Sequence, residues 1–188
     1  RYQQSLGRDV ELPDGGYPGD YMMELAAEVQ TSRGSEFLRP EGEAPPAELN
    51  DLGIELMVKR IRKTLERFGV TFDDWYSERS LYGEQGSFET AINVLREGRH
   101  LVDREGALWF ASSGLGEEKD NVVIRSDGRP TYYASDIGYH YQKFVERDFS
   151  LVIDVWGADH HGHVSRLKTA VEAVCGRGDD LQILLYQL

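Results

Sequence analysis

Leu151-Val152-Ile153-Asp154-Val155-Trp156-Gly157-Ala158-Asp159-His160-His161-Gly162-His163 reads as a core strand that passes through a glycine-bearing turn into a helix. Its apolar run is continuous rather than alternating, the pattern of a strand covered on both faces. The helix is expected from about His161 to Cys175, closed by Gly176, and a second apolar strand is expected over 182–188. Strand, turn, helix, strand is the rhythm of a parallel α/β sheet. In such sheets ligands bind beyond the carboxyl ends of the strands, where a helix start offers unpaired N–H groups and a positive dipole. Gly157 lets a flat ligand approach the backbone, Asp159 can accept from a ribose hydroxyl, and His160 and His163 can donate to phosphate oxygens. The position therefore points to a nucleotide. A metal site remains open as an alternative, since three histidines and an aspartate fall within residues 159–163.

Upstream of this unit, Ser126-Asp127-Gly128 is a turn, and a helix is expected from Asp136 to about Arg147. If residues 132–136 are already helical, Tyr132 and Asp136 share one face four residues apart. A carboxylate beside an aromatic ring suits a guanidinium, which binds the one through paired hydrogen bonds and lies against the other. The plainer alternative makes Asp136 a helix cap and Tyr132 part of the core. His100–Phe110 and Asn121–Arg125 read as strands of a small antiparallel unit, with turns at Asp103-Arg104-Glu105-Gly106 and Ser126-Asp127-Gly128. Ser87 is expected to cap a helix to about Arg96, stopped by Gly98, and Val70–Tyr76 is expected to be a third core strand.

Nearer the start, Asp14–Gly19 is dense in turn residues, and Asp20 is placed as the cap of a helix to about Gln30. Residues 31–49, with Gly34, Pro40, Gly42, Pro45 and Pro46, read as a surface loop. Asn50 or Asp51 is expected to cap the next helix. In it Ile54, Met57, Val58, Ile61, Leu65 and Phe68 recur at helical spacing up to Gly69. Lys59, Arg60, Arg62, Lys63 and Arg67 form a basic outer face, either solvated or in contact with nucleic acid.

The chain of 188 residues carries 33 acidic and 21 basic side chains, a net charge of −12. With 40% hydrophobic and 29% charged residues it is an ordinary globular composition, and the length can bury a core unaided. No apolar run approaches the ~20 residues of a membrane helix. A single cysteine, Cys175, excludes an internal disulfide framework and fits a reducing, cytoplasmic setting. So acidic a chain is poorly suited to non-specific nucleic-acid binding, although a local basic patch is compatible with it. The start at Arg1 without methionine, and the stop within an apolar run, lead us to expect a segment of a longer protein.

Several of these stretches together resemble arginyl-tRNA synthetase, a class I aminoacyl-tRNA synthetase. They are Arg125–Gly128, Thr131-Tyr132 with Asp136-Ile137 and Tyr139-His140, Lys143-Phe144, Val155–Gly162, and Arg166-Leu167-Lys168. Gly16–Tyr21, Phe72–Trp75 with Ser77-Glu78, and Leu184–Leu188 are similar too, so the resemblance spans nearly the whole chain in order. It implies an α/β fold: a Rossmann-like (HUP-type) nucleotide-binding parallel sheet with a small antiparallel insertion, present as an incomplete domain. Residues 1–98 would be the first part of the catalytic domain, 99–130 the insertion, and 131–188 the second part of the nucleotide-binding fold. It also implies an enzyme that activates L-arginine with ATP and Mg²⁺ and transfers it to tRNA(Arg). Tyr132 and Asp136, with Glu78, would bind the arginine; Gly157, Asp159, His160 and His163 would lie at the ATP. Any tRNA contact made by this chain would be local, with the basic face around Lys59–Arg67 the place to look.

The resemblance puts the phosphate-binding His-x-Gly-His element before Arg1 and the Lys-Met-Ser-Lys-Ser-like loop after Leu188, leaving no catalytic residue within the chain. The letters His160-His161-Gly162-His163 match the former but lie far from the first strand that it should follow. Two alternatives stand beside this reading. One is a non-catalytic, synthetase-like binding module. The other is a DHH-type metal-dependent phosphoesterase, suggested by Asp159-His160-His161, for whose second, Asp-x-Asp element the chain offers only Asp73-Asp74.

Overall fold

In a computed structural model, which describes residues 1–40, 43–83 and 86–187, the chain divides into two compact units, Arg1–Asp74 and Trp75–Leu188. The first unit is helical. Helix α1 (Tyr2–Ser5) delivers Tyr2, whose hydroxyl donates to the Gly34 carbonyl at 2.6 Å. Helix α2 (Asp20–Arg33) follows Gly19, so Asp20 is the first helical residue rather than the cap, where its charge still favours the positive end of the helix. Helix α3 (Ala47–Arg67) starts one turn before Asn50, because Pro46 already holds the extended geometry that precedes a helix. Most of the loop expected over 31–49 is non-helical, and its Gly42 lies outside the described residues.

The packing of α3 differs from the spacing-based expectation. Leu49, Leu52 and Leu56 meet the cluster of Tyr2, Ala26, Val29 and Phe37, and Arg60 ties α3 to Glu24 and Glu28 of α2. No residue of the row from Ile54 to Phe68 is fully buried: Met57, Val58 and Leu65 are partly covered, and Ile54, Ile61 and Phe68 are exposed, Phe68 by 79%. Nor is there a strand over 70–76: Val70 and Phe72 are exposed and pair with nothing in a sheet. Aromatic and β-branched residues favour a strand only where a neighbouring strand accepts them.

The second unit holds the sheets. A 3₁₀ turn, Glu78–Tyr82, leads to α4 (Ser87–Glu97), flanked by Gly86 rather than capped by Ser87. Strands β1 (Leu101–Arg104), β2 (Ala107–Phe110) and β3 (Asn121–Ile124) form the antiparallel unit. Its first hairpin turns on Glu105 and Gly106, both at positive φ (52° and 75°), as a two-residue turn of primed type requires. Helix α5 (Tyr132–Tyr141) begins before Asp136, capped by Thr131, whose hydroxyl accepts from the Ala134 N–H; a π-helical turn, Gln142–Glu146, continues it. Ala91, Ile92 and Leu95 of α4 pack on Ala134 and Ile137 of α5, over Phe110 and Val123 of the small sheet. The two helices approach closely at Gly138, where a Cβ would stand 3.0 Å from Phe88 Cα.

The opening stretch forms β4 (Val152–Gly157), a six-residue 3₁₀ segment (Ala158–His163) and α6 (Val164–Cys175), so the regular helix starts three residues later than expected. Gly176 closes α6 at φ 65°, and β5 (Leu181–Tyr186) pairs in parallel with β4, Val152 opposite Leu181 through Gly157 opposite Tyr186. Leu188, at the end of the expected strand, lies outside the described residues. The α/β class, the parallel pair and the small antiparallel sheet are thus all present. Phe144, Leu167 and Val171 cover one face of the parallel pair, against Val152 and Leu181. On the other face Ile153, Val155, Leu184 and Tyr186 are open, Val155 by 64%. Parallel strands are normally covered on both sides. Among the described residues no helix is long and apolar enough to cross a membrane.

Candidate functional site

The first turn of α5 projects two side chains between two clefts. Tyr132 and Asp136 line both, four residues apart on one face, so the structure brings together the pair that the sequence singled out. In the first cleft, of about 250 Å³, Glu78 and Asp136 are joined by the rings of Tyr76, Tyr132 and Tyr139. Tyr76 and Tyr139 are stacked, centroids 4.6 Å apart, and Lys143 Nζ lies 4.2 Å from the centre of the Tyr139 ring. Ser135 closes the floor, sharing a 2.5 Å hydrogen bond with the Tyr82 hydroxyl. Burial raises the Tyr82 phenol above its ordinary range, against the opposing effect of that bond. Two carboxylates and three aromatic faces, with no cation among the lining residues, suit a flat organic cation.

The second cleft, of about 540 Å³, lies at the carboxyl end of β4. Trp156, Gly157, His160 and His163 line it, together with Tyr133 and Arg166. Gly157 has φ −65° and ψ 147°, which any residue can adopt, so what glycine supplies here is room. A Cβ at this position would clash with Asp159 Oδ1. Asp159 itself does not line the cleft: it is 80% exposed, with His160 Nε2 3.5 Å from Oδ2.

His163 connects the two clefts. Its Nε2 lies 2.8 Å from Asp136 Oδ2, and its Nδ1 faces Nε of Arg166. An arginine Nε–H can only donate, so Nδ1 accepts and the ring proton sits on Nε2, where it is donated to Asp136. One oxygen of Asp136 is thereby engaged and the other left for a ligand. Trp156 and Tyr133 hold the ring, at centroid distances of 5.4 and 5.6 Å. The Tyr133 hydroxyl donates to the Arg166 carbonyl at 2.7 Å. Burial pushes this phenol well up, more than Arg166 pulls it down, so it stays a donor.

Behind the clefts α5 is clamped to β4. His140 Nε2 lies 3.0 Å from Asp154 Oδ2, and Lys143 Nζ donates to Oδ1 at 2.9 Å. Burial alone would raise the Asp154 carboxyl, but its hydrogen bonds and the charges of His140 and Lys143 outweigh that and hold it at about 2. The Cys175 thiol is pushed up to about 11 by burial, so it is not a nucleophile at neutral pH.

Tyr76, Tyr133, Tyr139, Trp156 and Arg166 were not assigned to the site from the sequence, although Tyr139, Trp156 and Arg166 fall within the stretches that carry the resemblance. Two of them carried a signal: Tyr139 lies one turn beyond Asp136, and Arg166 lies three residues beyond His163. The histidine run does not act as a unit. His163 turns inward to Asp136 while His160 turns outward to Asp159. Among the described residues no three His, Cys, Asp or Glu side chains converge to hold a metal.

No family model matches the chain. Over its whole length it is 47% identical to the arginine–tRNA ligase of Dehalococcoides mccartyi, and over 189 aligned residues 48% identical to that of Carboxydothermus hydrogenoformans. It covers 34% and 33% of those proteins, so the chain spans about a third of the length of these relatives. Among solved structures it superposes on one determined as an arginyl-tRNA synthetase from Campylobacter jejuni with a TM-score of 0.86 and 37% identity, covering 99% of this chain and 40% of that one. The arginyl-tRNA synthetase of Thermus thermophilus shares the fold at a TM-score of 0.61 and 16% identity, over 99% of this chain and 38% of that one. End to end, the chain is homologous to a segment of arginine–tRNA ligases.

Proposed function

We propose that this chain is the central segment of the catalytic part of a cytoplasmic arginine–tRNA ligase. The complete protein joins L-arginine to tRNA(Arg) at the expense of ATP. A carboxylate oxygen of arginine attacks the α-phosphorus of ATP and pyrophosphate leaves; a hydroxyl of the terminal tRNA ribose then attacks the acyl carbon and AMP leaves. The observation that carries this reading is the shared wall: an acidic, aromatic cleft adjoins a nucleotide-type cleft, and both are lined by Tyr132 and Asp136. Asp136 and Glu78 hold the guanidinium of arginine, with Tyr132 against its plane. Trp156, Gly157, His160 and His163 receive the nucleotide, and Asp159, at the rim, is within reach of a ligand through its flexible side chain.

Mg²⁺ would be carried on the phosphates of ATP and there neutralise charge. Lysine is excluded because a compact ammonium cannot make the paired hydrogen bonds of a guanidinium. Charging of tRNA(Arg) by the complete protein, with arginine and lysine compared, tests the assignment: arginine is attached and lysine is not. The 188-residue chain alone is expected to give no arginine-dependent exchange of pyrophosphate into ATP. Robust exchange by it would overturn the reading as a catalytically incomplete segment.

A further inference from the structure

In a chain of net charge −12, residues 59–67 hold five cations and one acid, Glu66. The structure divides those cations by role. Arg60 is bound to Glu24 and Glu28, at 3.7 and 2.7 Å, and joins α3 to α2. Lys59, Lys63 and Arg67 are all exposed, and among the described residues none has a hydrogen bond or an ion pair. They stand at i, i+4 and i+8, so they form one stripe about 12 Å long with a step of about 6 Å. Like charges at this spacing weaken a helix. Glu55 and Glu66 stand one turn from Lys59 and Lys63 on the same helix, but among the described residues neither closes an ion pair with them, as Glu28 does with Arg60.

We infer that Lys59, Lys63 and Arg67 of α3 form a docking stripe for the phosphate backbone of an RNA strand. The inference rests on the proposed ligase function, which supplies tRNA as the partner. The step along the stripe is comparable to the separation of neighbouring phosphates along an RNA strand, so each cation meets one phosphate in turn. Such contacts carry no sequence preference; they set where the RNA lies and make its binding depend on salt. They also reconcile an acidic chain with a polyanionic partner, because the repulsion elsewhere leaves this stripe as the favoured landing point.

The test uses the complete protein and three measurements: charging activity, tRNA dissociation constants across a salt series, and KM for each substrate. In the triple variant Lys59→Ala, Lys63→Ala, Arg67→Ala, the slope of log K against log salt should flatten by about 2–3, given about 0.7–0.9 per phosphate contact. At about 0.1 M salt that corresponds to a tRNA affinity at least tenfold weaker. KM for arginine and ATP should be unchanged. Arg60→Ala, which breaks only the α2–α3 pairs, should leave the slope as it is.

If the parent protein charges tRNA and the triple variant keeps its slope and its affinity within about threefold, the docking stripe is wrong while the ligase reading stands. If the parent protein neither binds nor charges tRNA, both fall. Loss of binding to anionic lipid vesicles with an unchanged tRNA slope would assign the stripe to a lipid surface and overturn the inference.

Discussion

Asp154→Asn tests whether the clamp behind the clefts is electrostatic. Asp154 is only 11% exposed and sits between His140 of α5 and Lys143 of the π-helical turn that continues it. Its carboxyl lies at about 2 in the folded protein against an ordinary 3.8. At about 1.36 kcal/mol per pH unit, this difference contributes about 2 kcal/mol to the stability of the second unit at neutral pH. Because the folded value is the depressed one, the contribution is fully present above the ordinary value. It is lost as pH falls through the folded value, progressively from about pH 5 down to about pH 1.

The three tryptophans, Trp75, Trp109 and Trp156, all lie in that unit, so denaturant unfolding followed by tryptophan emission reads it selectively. At pH 7 the variant should be about 2 kcal/mol less stable, equivalent to a melting temperature lower by about 8 °C. The gap should close as the pH approaches 2. A gap that stays constant across this range would show that shape and packing, not charge, hold α5 on β4. A variant as stable as the parent at pH 7 would refute the clamp itself.

Three further outcomes follow from the clefts. Asp136→Ala in the complete protein should lower kcat/KM for arginine by roughly 30- to 150-fold, the low end for a lost charge partner, since Asp136 is 38% exposed and already shared with His163; a change below about threefold would demote it to a structural residue. Arg166→Ala should release the His163 ring to exchange between tautomers, visible in its ¹⁵N resonances, and should raise the KM for ATP by about fivefold, the worth of one hydrogen bond, with partial rescue by Arg166→Lys; an unchanged tautomer would refute the donor role of Arg166. Gly157→Ala should leave stability within about 1 kcal/mol, because the exposed Asp159 side chain can swing aside, yet raise the KM for ATP; a stability loss with unaltered KM would show that the glycine serves the turn and not the ligand.

How much was legible in the sequence depended on whether local patterns were decisive. The strand–helix–strand unit from 151 onward, closed by Gly176, was legible because a largely apolar run broken only at Asp154, a helical period and a left-handed glycine agree. The hairpin at Glu105-Gly106 was legible for the same reason. Val70–Tyr76 was not, because its composition fits a strand while pairing depends on a partner that local sequence does not reveal. On α3 the spacing marked an amphipathic helix but not which residues find a neighbour; Leu49, Leu52 and Leu56 meet α2, whereas Ile61 and Phe68 stay exposed. At the site, Tyr132 and Asp136 stood out by spacing, whereas the aromatic walls come from Tyr76 and Tyr139, 63 positions apart in number and brought together only by folding.

The bond from His163 to Asp136 makes the two clefts thermodynamically one system. On the function proposed above, a guanidinium on the free oxygen of Asp136 would draw electron density from the carboxylate and loosen its hold on the His163 N–H, and occupancy of the first cleft would prepare the second. Linkage requires the reverse to hold by the same factor: whatever ATP adds to the affinity for arginine, arginine must add to the affinity for ATP. His163→Phe, which keeps a ring between Trp156 and Tyr133 but cannot donate, should make the two affinities independent of each other.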